Sequence, residues 1–335
     1  MFNYAIRRLL IAAPTVLLIS LIIFSLLKLA PGDPLADMPL TIPPEVREKM
    51  RAVLGLDEPM LVQYLLWLKQ FFFIEPINIF DALFGTHFSA GTLRIISWQT
   101  RSPVFDLIAM RLLQTLWVVG LAYVVGVLIA LPIGIASAYK PHSIFDQLGT
   151  FLAMVGLAVP SFFSGVLMIL VFAVYLGWFP SIYNTNLVVN SWSSFVEQLR
   201  QMAMPVMVLS VQTTAQISRY LRSSMLENLG QEYIRTARAK GMGEMVVVLI
   251  HALRNSMIPV VTIVALGLPS VFGGAIVTEQ IFKVNGIGQL MISSIYAGDV
   301  PMVQTLAFIF AVLIVAFNLI ADLLYGVLDP RIRYD

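Results

Sequence analysis

The sequence predicts an all-α integral membrane protein, and three observations support that fold class. Hydrophobic residues make up 59% of the 335 residues and charged residues only 12%, whereas a soluble domain carries about 25% charged residues. The mean hydropathy is +0.85. Apolar runs recur along the chain, and each is long enough to cross a hydrocarbon core about 30 Å thick. Six transmembrane helices are predicted, with a small helical extracytoplasmic cap after the first.

The composition also limits the function classes. The chain has no cysteine, which excludes disulfides and thiol chemistry. Its formal net charge is only +2 and its basic residues are scattered, which argues against nucleic acid as a partner. No HExxH zinc pattern, GxSxG nucleophile motif or GxxxxGK[ST] phosphate loop occurs. We therefore expect a non-catalytic protein with no cofactor and no metal site.

The first predicted span, Leu9 to Leu29, lies in an N-terminal segment of residues 1–30. Arg7 and Arg8 precede it, which places the N-terminus in the cytoplasm by the positive-inside rule. A cleaved signal peptide and a twin-arginine signal are the alternatives, but a signal peptide has a shorter apolar core, about 7–15 residues. Lys28 can extend to the far interface. We interpret this segment as an uncleaved membrane helix.

Residues 31–106 are the one long polar stretch, and we interpret them as the extracytoplasmic cap. Long loops cross the membrane largely regardless of their charge. One helix is predicted over EVREKMRAVLG, ending at Gly55. A second is predicted over MLVQYLLWLKQFF, whose apolar residues recur at helical spacing: Leu61, Leu65, Leu68 and Phe72.

The second and third spans have different patterns of small residues. The third, Leu148 to Leu176, contains Gly156, Pro160 and Gly165, so a kink near its middle is predicted. The second, Leu112 to Tyr139, has a small residue at every fourth position. Such a stripe predicts close helix packing in a membrane, and its members are Ala122, Gly126, Ala130, Gly134 and Ala138.

The fourth span, starting near Met202, is unusually polar. Polar side chains in a span face the bundle interior or a water-filled path. Helix–helix hydrogen bonding is one interpretation, and lining of a translocation path is the one we prefer. The polar residues are Ser210, Gln212, Thr213, Thr214, Gln216 and Ser218, and the path is assigned to Ser210, Gln212, Thr213 and Gln216.

The fifth and sixth spans each contain a carboxylate. The fifth runs from Met257 to Phe282, with breaks predicted at its prolines and glycines, and Glu279 lies near its outer end. Glu279 is interpreted either as an interfacial residue or as part of the translocation path. In the sixth span, Val303 to Val327, Asp322 needs a partner. The candidate partners of Asp322 are Arg219 and Arg222, with a proton-relay role for Asp322 as the alternative. In the fifth span, the breaks are predicted at Pro259, Gly267-Leu268-Pro269 and Gly273-Gly274.

The segment Gln231–Pro259, which we call the knob, interrupts this apolar pattern. The loop around it, residues 219–254, carries six basic and three acidic residues, which places it and both termini in the cytoplasm. A short helix is predicted from Glu232 to Lys240, followed by a glycine stop at Gly241 and Gly243. The pattern suits docking to a soluble partner; an ordinary basic loop is the alternative.

Several motifs together resemble the permeases of bacterial ABC importers, specifically the dipeptide and oligopeptide branch. The knob sequence RTARAKGMGEMVVVLIHALRNSMIP is similar to the cytoplasmic signature loop of that branch, although only Ala237 and Gly241 match the general form of the signature. APGDP, RSSMLE, TEQIF with GIG, and DLLYGVLDPRIRY also agree. Asn285 and Gly298 depart from residues that are frequent in the family. The resemblance covers nearly the whole chain.

The resemblance implies a type I ABC-importer permease architecture, with a core in residues 107–335 and a coupling loop at 227–254. It implies a related second permease subunit, two cytoplasmic ATP-binding subunits, an extracytoplasmic substrate-binding protein and a bacterial inner-membrane location amid lipid. Peptide is the expected substrate, with nickel complexes, opines and haem as alternatives. An ion-coupled carrier acting alone and a structural scaffold are the other hypotheses. The implied ATPase-coupling residues are Tyr233, Arg235, Thr236, Ala237, Arg238, Gly241 and Met242.

Overall fold

A computed structural model describes the backbone of residues 2–29, 44–45, 48, 51–52 and 55–328. It describes the side chains of the same residues except 2–5, 268–275 and 324–328. Within these ranges the regular structure is helical apart from one isolated bridge between Ile96 and Pro103, which confirms the predicted all-α class. The APGDP motif, most of the EVREKMRAVLG helix and the residues after 328 lie outside the described residues.

The helices coincide with the predicted apolar runs, and several of them begin some residues before the predicted span does. Three π-helical segments each connect two α-helices without a break: Gln70–Ile74, Leu116–Gly120 and Val247–Ala252. A fourth, Ile169–Tyr175, extends the α-helix Ser161–Met168 at its C-terminal end. The α-helices are α1 Phe2–Lys28, α2 Met60–Lys69, α3 Glu75–Phe84, α4 Val104–Thr115, α5 Leu121–Tyr139, α6 Ile144–Ala158, α7 Ser161–Met168, α8 Trp192–Leu229, α9 Glu232–Ala239, α10 Glu244–Val246, α11 Leu253–Phe282, α12 Ile287–Tyr296 and α13 Val300–Leu328.

Among the described residues, four helices are long and apolar enough to cross a membrane. A fifth is added if the bent pair Ile144–Ala158 and Ser161–Tyr175 counts as one span. The fourth predicted span lies within α8, which is not in this set because of its polar residues. The six-span arrangement is consistent with these helices, which are Ile6–Lys28, Val104–Tyr139, Glu244–Gly267 and Val300–Leu323.

Two of the predicted spans differ from their expected form. The third is not one kinked helix, because α6 and the helix that begins at Ser161 meet at a bend of 102°. Val159 and Pro160 are both extended there, as a residue before proline prefers. The fifth was predicted to be broken, but α11 is one continuous helix from Leu253 to Phe282. Membrane helices tolerate proline and glycine in this way.

The chain divides into two compact units, and their limits differ from the predicted domains. The first comprises residues 1–12, 113–289 and 313–335, and the second residues 13–112 and 290–312. The second unit thus combines the predicted cap with most of α1 and the first turns of α13. The predicted division at residues 30 and 106 stays a prediction.

The second unit has an aromatic core and a buried ion-pair network. Phe71 packs against Phe308, with ring centroids 4.4 Å apart, and Trp67 packs against the same ring at 5.1 Å. Arg94 contacts the fully buried carboxylate of Glu75 at 2.7 Å and the half-exposed carboxylate of Asp106 at 2.8 Å. These contacts hold α2 and α3 firmly within the unit.

In the first unit, α5 and α8 pack closely along the predicted small-residue stripe. A Cβ atom at Gly126 would lie 2.7 Å from the Cβ of Thr213 and 3.1 Å from the carbonyl oxygen of Ser210. A Cβ at Gly134 would lie 3.0 Å from the side chain of Leu221. All five stripe residues are buried. The predicted close packing is confirmed, and its partner is the polar helix α8.

The carboxylate of Asp322 pairs with neither predicted arginine. Its Oδ2 lies 2.8 Å from Nη1 of Arg8, so the N-terminal helix is tied to the last helix. Arg222 instead binds Asp146, through Nε at 2.5 Å and Nη2 at 2.7 Å. The predicted pairing of Asp322 was wrong because linear spacing along α13 gives no information about which helix faces it.

Loss of Arg222 is expected to destabilise the first unit. Asp146 is 2% exposed, and its other contact is the backbone N–H of His142 at 2.9 Å. Arg222→Ala would leave this carboxylate without its cation. Because Arg222 is partly exposed, we expect a loss of about 2–3 kcal/mol in the free energy of unfolding, below the range for a fully buried pair.

Thermal unfolding of the purified chain in detergent measures this loss, with Arg219→Ala on the exposed side of the same helix as the matched control. The double variant Asp146→Asn with Arg222→Met should recover much of the stability, because no unpaired charge remains. Equal stability of Arg222→Ala and Arg219→Ala would contradict the prediction.

Candidate functional site

The knob begins with α9, a short helix anchored by its apolar face. Ile234 is fully buried and Ala237 is 5% exposed. Both belong to a core cluster with Leu221 and Met225 of α8, together with Val247, Val248 and Ala252. The cluster fixes α9 against the rest of the unit. Ala237 therefore faces inward, which corrects its expected role as a surface contact of a partner.

Gly241 closes α9 with a specific backbone geometry. Its φ is +79°, and its N–H donates to the carbonyl oxygen of Arg238 at 2.9 Å. The N–H of Met242 donates to the carbonyl oxygen of Ala237 at 3.3 Å. This pair of bonds is a Schellman motif, in which a left-handed residue ends the helix and satisfies its last carbonyls. Gly243 has an ordinary φ of −62° and instead caps the start of α10.

The knob exposes a mixed apolar and basic face. Met245 is 70% exposed, and Tyr233, Met242 and Val246 are each about two-fifths exposed. The polar residues of the same face are also exposed, and they are Arg235, Thr236, Arg238 and Lys240. Exposed apolar residues clustered in this way mark an interaction site more often than a free surface.

Ion pairs hold the shape of this face. Arg238 donates to both carboxylate oxygens of Glu244, at 2.6 and 3.1 Å, and so bridges α9 to α10 across the glycine corner. This bond raises the pKa of Arg238 above its ordinary value. Arg235 pairs with Glu232 at 2.7 Å, and the Tyr233 hydroxyl donates to Asn228 at the same distance.

The four path residues predicted on α8 point in different directions. Ser210 is buried and donates to the carbonyl oxygen of Met207 at 3.0 Å. Thr213 is half-buried and packs on Gly126. Gln212 and Gln216, one turn apart, are exposed. The structure therefore supports helix packing for Ser210 and Thr213, and leaves the two glutamines on an open face.

Glu279 is enclosed rather than open to a path. It is 1% exposed, and its Oε1 accepts from the Thr115 hydroxyl at 2.6 Å. Its Oε2 accepts from the backbone N–H groups of Gly288 at 2.8 Å and Gln289 at 3.0 Å. The carboxylate thus caps the N-terminus of α12, a position that favours negative charge. Neither predicted role, interfacial residue or path residue, matches this placement.

Sequence reasoning missed the residues around this carboxylate. Thr115 also accepts from the backbone N–H of Ile287 at 2.9 Å. A Cβ at Gly288 would lie 2.7 Å from Cα of Ile276 and 2.9 Å from Oε2 of Glu279. The GIG motif is therefore glycine-rich because a buried carboxylate and a helix backbone approach it. The signal in the sequence is that TEQIF, which contains Glu279, is followed closely by the GIG motif.

No metal centre is formed by the part of the chain that the structure describes, since no three His, Asp or Glu side chains come together there. The predicted functional residues that the first unit exposes are those on the outer face of the knob and the glutamines of α8.

Comparison with known proteins decides the family. The family model described as "Binding-protein-dependent transport system inner membrane component" matches residues 130–334, and its N-terminal companion matches residues 1–119. The chain belongs to this family. It is therefore a multi-pass inner-membrane component, the non-catalytic subunit of its transport system, and the resemblance to ABC-importer permeases is confirmed.

Relatives match over the full length of this inner-membrane component. The oligopeptide transport system permease protein AppB of Bacillus subtilis is 39% identical over 100% of both chains. The glutathione transport system permease protein GsiC of Salmonella paratyphi A is 35% identical, also over 100% of both. A putative peptide permease of Brucella suis is 36% identical over 99% of both. The crystal structure of an amino acid ABC transporter is similar over 68% of this chain and 95% of that chain, with 16% identity and a TM-score of 0.47.

Proposed function

We propose that this chain is the permease half of an importer that moves peptides into the cytoplasm, driven by ATPases that dock on the knob. The observation that carries the proposal is the exposed, rigidly held face of the knob. Its helix is anchored by Ile234, its corner is fixed by Gly241, and its charges are bridged by Arg238 and Glu244. A rigid docking element transmits force from a partner, whereas a loose basic loop does not.

Peptide is the proposed substrate class because the full-length relatives are named for oligopeptides, peptides or glutathione. Nickel complexes, opines and haem are the alternatives. An ion-coupled carrier is disfavoured, because Asp322, its candidate carboxylate, is held by Arg8 at 2.8 Å. Carboxylates that carry coupling ions must be available to those ions.

The open glutamine face of α8 supports a second permease subunit. Polar residues within a span avoid lipid and face protein or water. Gln212 lies seven residues before Arg219, about 10 Å into the membrane if that arginine marks the inner interface. If a homologous subunit faced Gln212 and Gln216 across a water-filled path, the polar groups of both side chains would be hydrated and kept away from lipid. We propose a non-identical pair with the path between its members.

The double variant Gln212→Ala, Gln216→Ala is expected to slow transport. Each glutamine contributes hydrogen bonds of about 0.5–1.5 kcal/mol to substrate or water in the path. Their joint loss should lower the initial rate of ATP-driven uptake by about tenfold. Uptake into proteoliposomes measures this, and Ser223→Ala, exposed on the same helix, is the control. Unchanged uptake would exclude these residues from the path.

The orientation follows from the same proposal. The knob meets cytoplasmic ATPases, so the Arg219–Arg254 loop and both termini are cytoplasmic, and the substrate-binding protein rests on the opposite side. Coupling then involves residues 227–254, and residues 107–335 form the permease core. Labelling of single cysteines, introduced into this cysteine-free chain, tests the orientation from each side of the membrane.

Substrate class is tested with the assembled transporter. The chain, its partner permease, the two ATPases and the binding protein are reconstituted, and binding-protein-stimulated ATP hydrolysis is measured with dipeptides, pentapeptides, nickel chelates and haem. We expect stimulation and uptake with peptides alone. Stimulation by a nickel chelate or haem, and not by peptides, would replace the proposed substrate while leaving the ATP coupling intact.

A further inference from the structure

The helix that runs from Met60 through the π-helical segment Gln70–Ile74 to Phe84 carries an apolar face that stays largely exposed. The face includes three of the four residues of the apolar stripe predicted from the sequence, since Leu68 is only partly exposed. Leu61, Leu65 and Phe72 are exposed by 69%, 55% and 43%, and Phe73 by 64%. The opposite face, with Tyr64 and Trp67, is packed in the second unit. An exposed apolar face of this extent needs a partner.

Contacts with α1 show the depth of this helix. The hydroxyl groups of Tyr64 and Ser20 are 2.7 Å apart, and the Tyr64 hydroxyl donates to the carbonyl oxygen of Leu17 at 3.3 Å. The Phe24 and Tyr64 rings meet edge to face at 5.4 Å. The α1 span ends at Lys28. Ser20 therefore lies about 12 Å inside the outer end of that span, within the depth of one leaflet.

Contacts with α13 give the same depth independently. The α13 span begins at Val300, and Val300 and Lys28 line one small cavity, so both mark the same end of their spans. Phe308 lies about 12 Å further along α13. Its ring meets that of Phe71 at 4.4 Å and that of Phe72 at 6.0 Å. The contacts with α1 and the contacts with α13 therefore both indicate that the stretch from Tyr64 to Phe72 lies below the outer membrane surface.

We propose that the face formed by Leu61, Leu65, Phe72 and Phe73 contacts the acyl chains of the outer leaflet, so that the helix is embedded in the membrane rather than part of a solvated cap. We assign lipid as the occupant because the face continues the exposed apolar surface of α1, a helix long and apolar enough to cross a membrane. Leu18, Leu21 and Ile22 of the α1 span are 44–59% exposed, and α2 packs beside them.

The charges along the helix agree with a lipid partner. From Met60 to Phe73 its one ionisable group besides Tyr64 is Lys69, whose long side chain can extend from an apolar environment to the interface. Acidic residues appear from Glu75 onward, and Glu75 is paired with Arg94 at 2.7 Å. The segment thus has the polarity of an interfacial amphipathic helix.

The absence of native cysteine makes a depth measurement direct. Leu65→Cys and Phe73→Cys are labelled with an environment-sensitive nitrobenzoxadiazole dye in the assembled transporter, reconstituted in bilayers with or without doxyl-labelled phosphatidylcholine. Leu18→Cys on α1 is the lipid-facing reference. Asn186→Cys, exposed in the loop before α8, is the aqueous reference. Soluble iodide supplies the complementary quencher.

We expect doxyl lipid to quench positions 65 and 73 to an extent close to that at position 18, with little quenching by iodide. Quenching by iodide and not by lipid, as at position 186, would overturn the proposal and show a solvated cap. Protection from both quenchers would also overturn it, because a protein then covers the face. These results do not depend on the transported substrate or on the ATPases' docking site.

Discussion

Replacing Gly241 with valine is expected to uncouple ATP hydrolysis from transport while the membrane helices remain folded and assembled. Gly241 has a φ of +79°, and an added Cβ would meet no atom within 4 Å. The glycine is needed for its backbone conformation and not for space. A left-handed residue with a side chain costs about 1–2 kcal/mol, and more when it is β-branched. The corner would relax and move Met242 and Arg238 away from their docking positions.

The measurement is ATP-driven uptake per ATP hydrolysed in proteoliposomes, together with the affinity of the ATPases for the permease pair. We expect the affinity to fall by about tenfold or more. Gly243→Val is the matched control, because Gly243 is equally open but has a φ of −62°. Gly241→Asn should retain more coupling than the valine variant, since asparagine tolerates the left-handed region. Normal coupling in Gly241→Val would remove the knob from the mechanism.

Glu279→Ala is expected to give the largest loss of stability. The change would leave the Thr115 hydroxyl and the backbone N–H groups of Gly288 and Gln289 without their acceptor. Each buried donor left unsatisfied costs about 1–3 kcal/mol. With three such donors, we expect a loss of at least about 3 kcal/mol in the free energy of unfolding and a lower yield of assembled transporter.

Two further variants separate this role from one in the substrate path. Glu279→Gln keeps one acceptor oxygen and the shape of the side chain, so it should lose less stability than the alanine variant. Glu197→Ala, an exposed glutamate on α8, should change stability by less than about 0.5 kcal/mol. If Glu279→Ala were as stable as Glu197→Ala but defective in uptake, the carboxylate would be a path residue and the capping role would be wrong.

The sequence predicted the features that repeat along one helix. The stripe from Ala122 to Ala138 follows directly from helical periodicity, and the structure confirms it. The left-handed corner at Gly241 follows from glycine chemistry near a helix end. Both are local, so spacing along the chain is enough to predict them.

Features that depend on which helices meet were not accessible in the same way. Asp322 pairs with Arg8 and Arg222 with Asp146, and both partners come from distant segments. Glu279 was placed near the membrane face by its position in α11, but its environment is set by Thr115 and α12. The burial of Ala237 depends on contacts with α8 and with Val247–Ala252, the later part of the knob. A single sequence contains no measure of these long-range contacts.

The proposed membrane depth of the Met60–Phe84 helix also depends on long-range contacts that a single sequence does not contain. The apolar stripe from Leu61 to Phe72 was recognised, but polar flanking residues and prolines led us to place it in a solvated cap. The contacts of Tyr64 with α1 and of Phe71 with Phe308 are the basis of the proposed position in the outer leaflet. Helical periodicity showed which residues share a face, and tertiary contacts were needed to infer what that face meets.

The most direct test of the account is uptake of labelled peptide by proteoliposomes under two energy sources. One preparation contains the chain with its partner permease, two ATPases and the binding protein, and the other contains the chain alone. The account predicts accumulation in the complete preparation only, dependent on ATP and binding protein and abolished in the Gly241→Val variant. Accumulation by the chain alone, driven by a proton or sodium gradient, would contradict it.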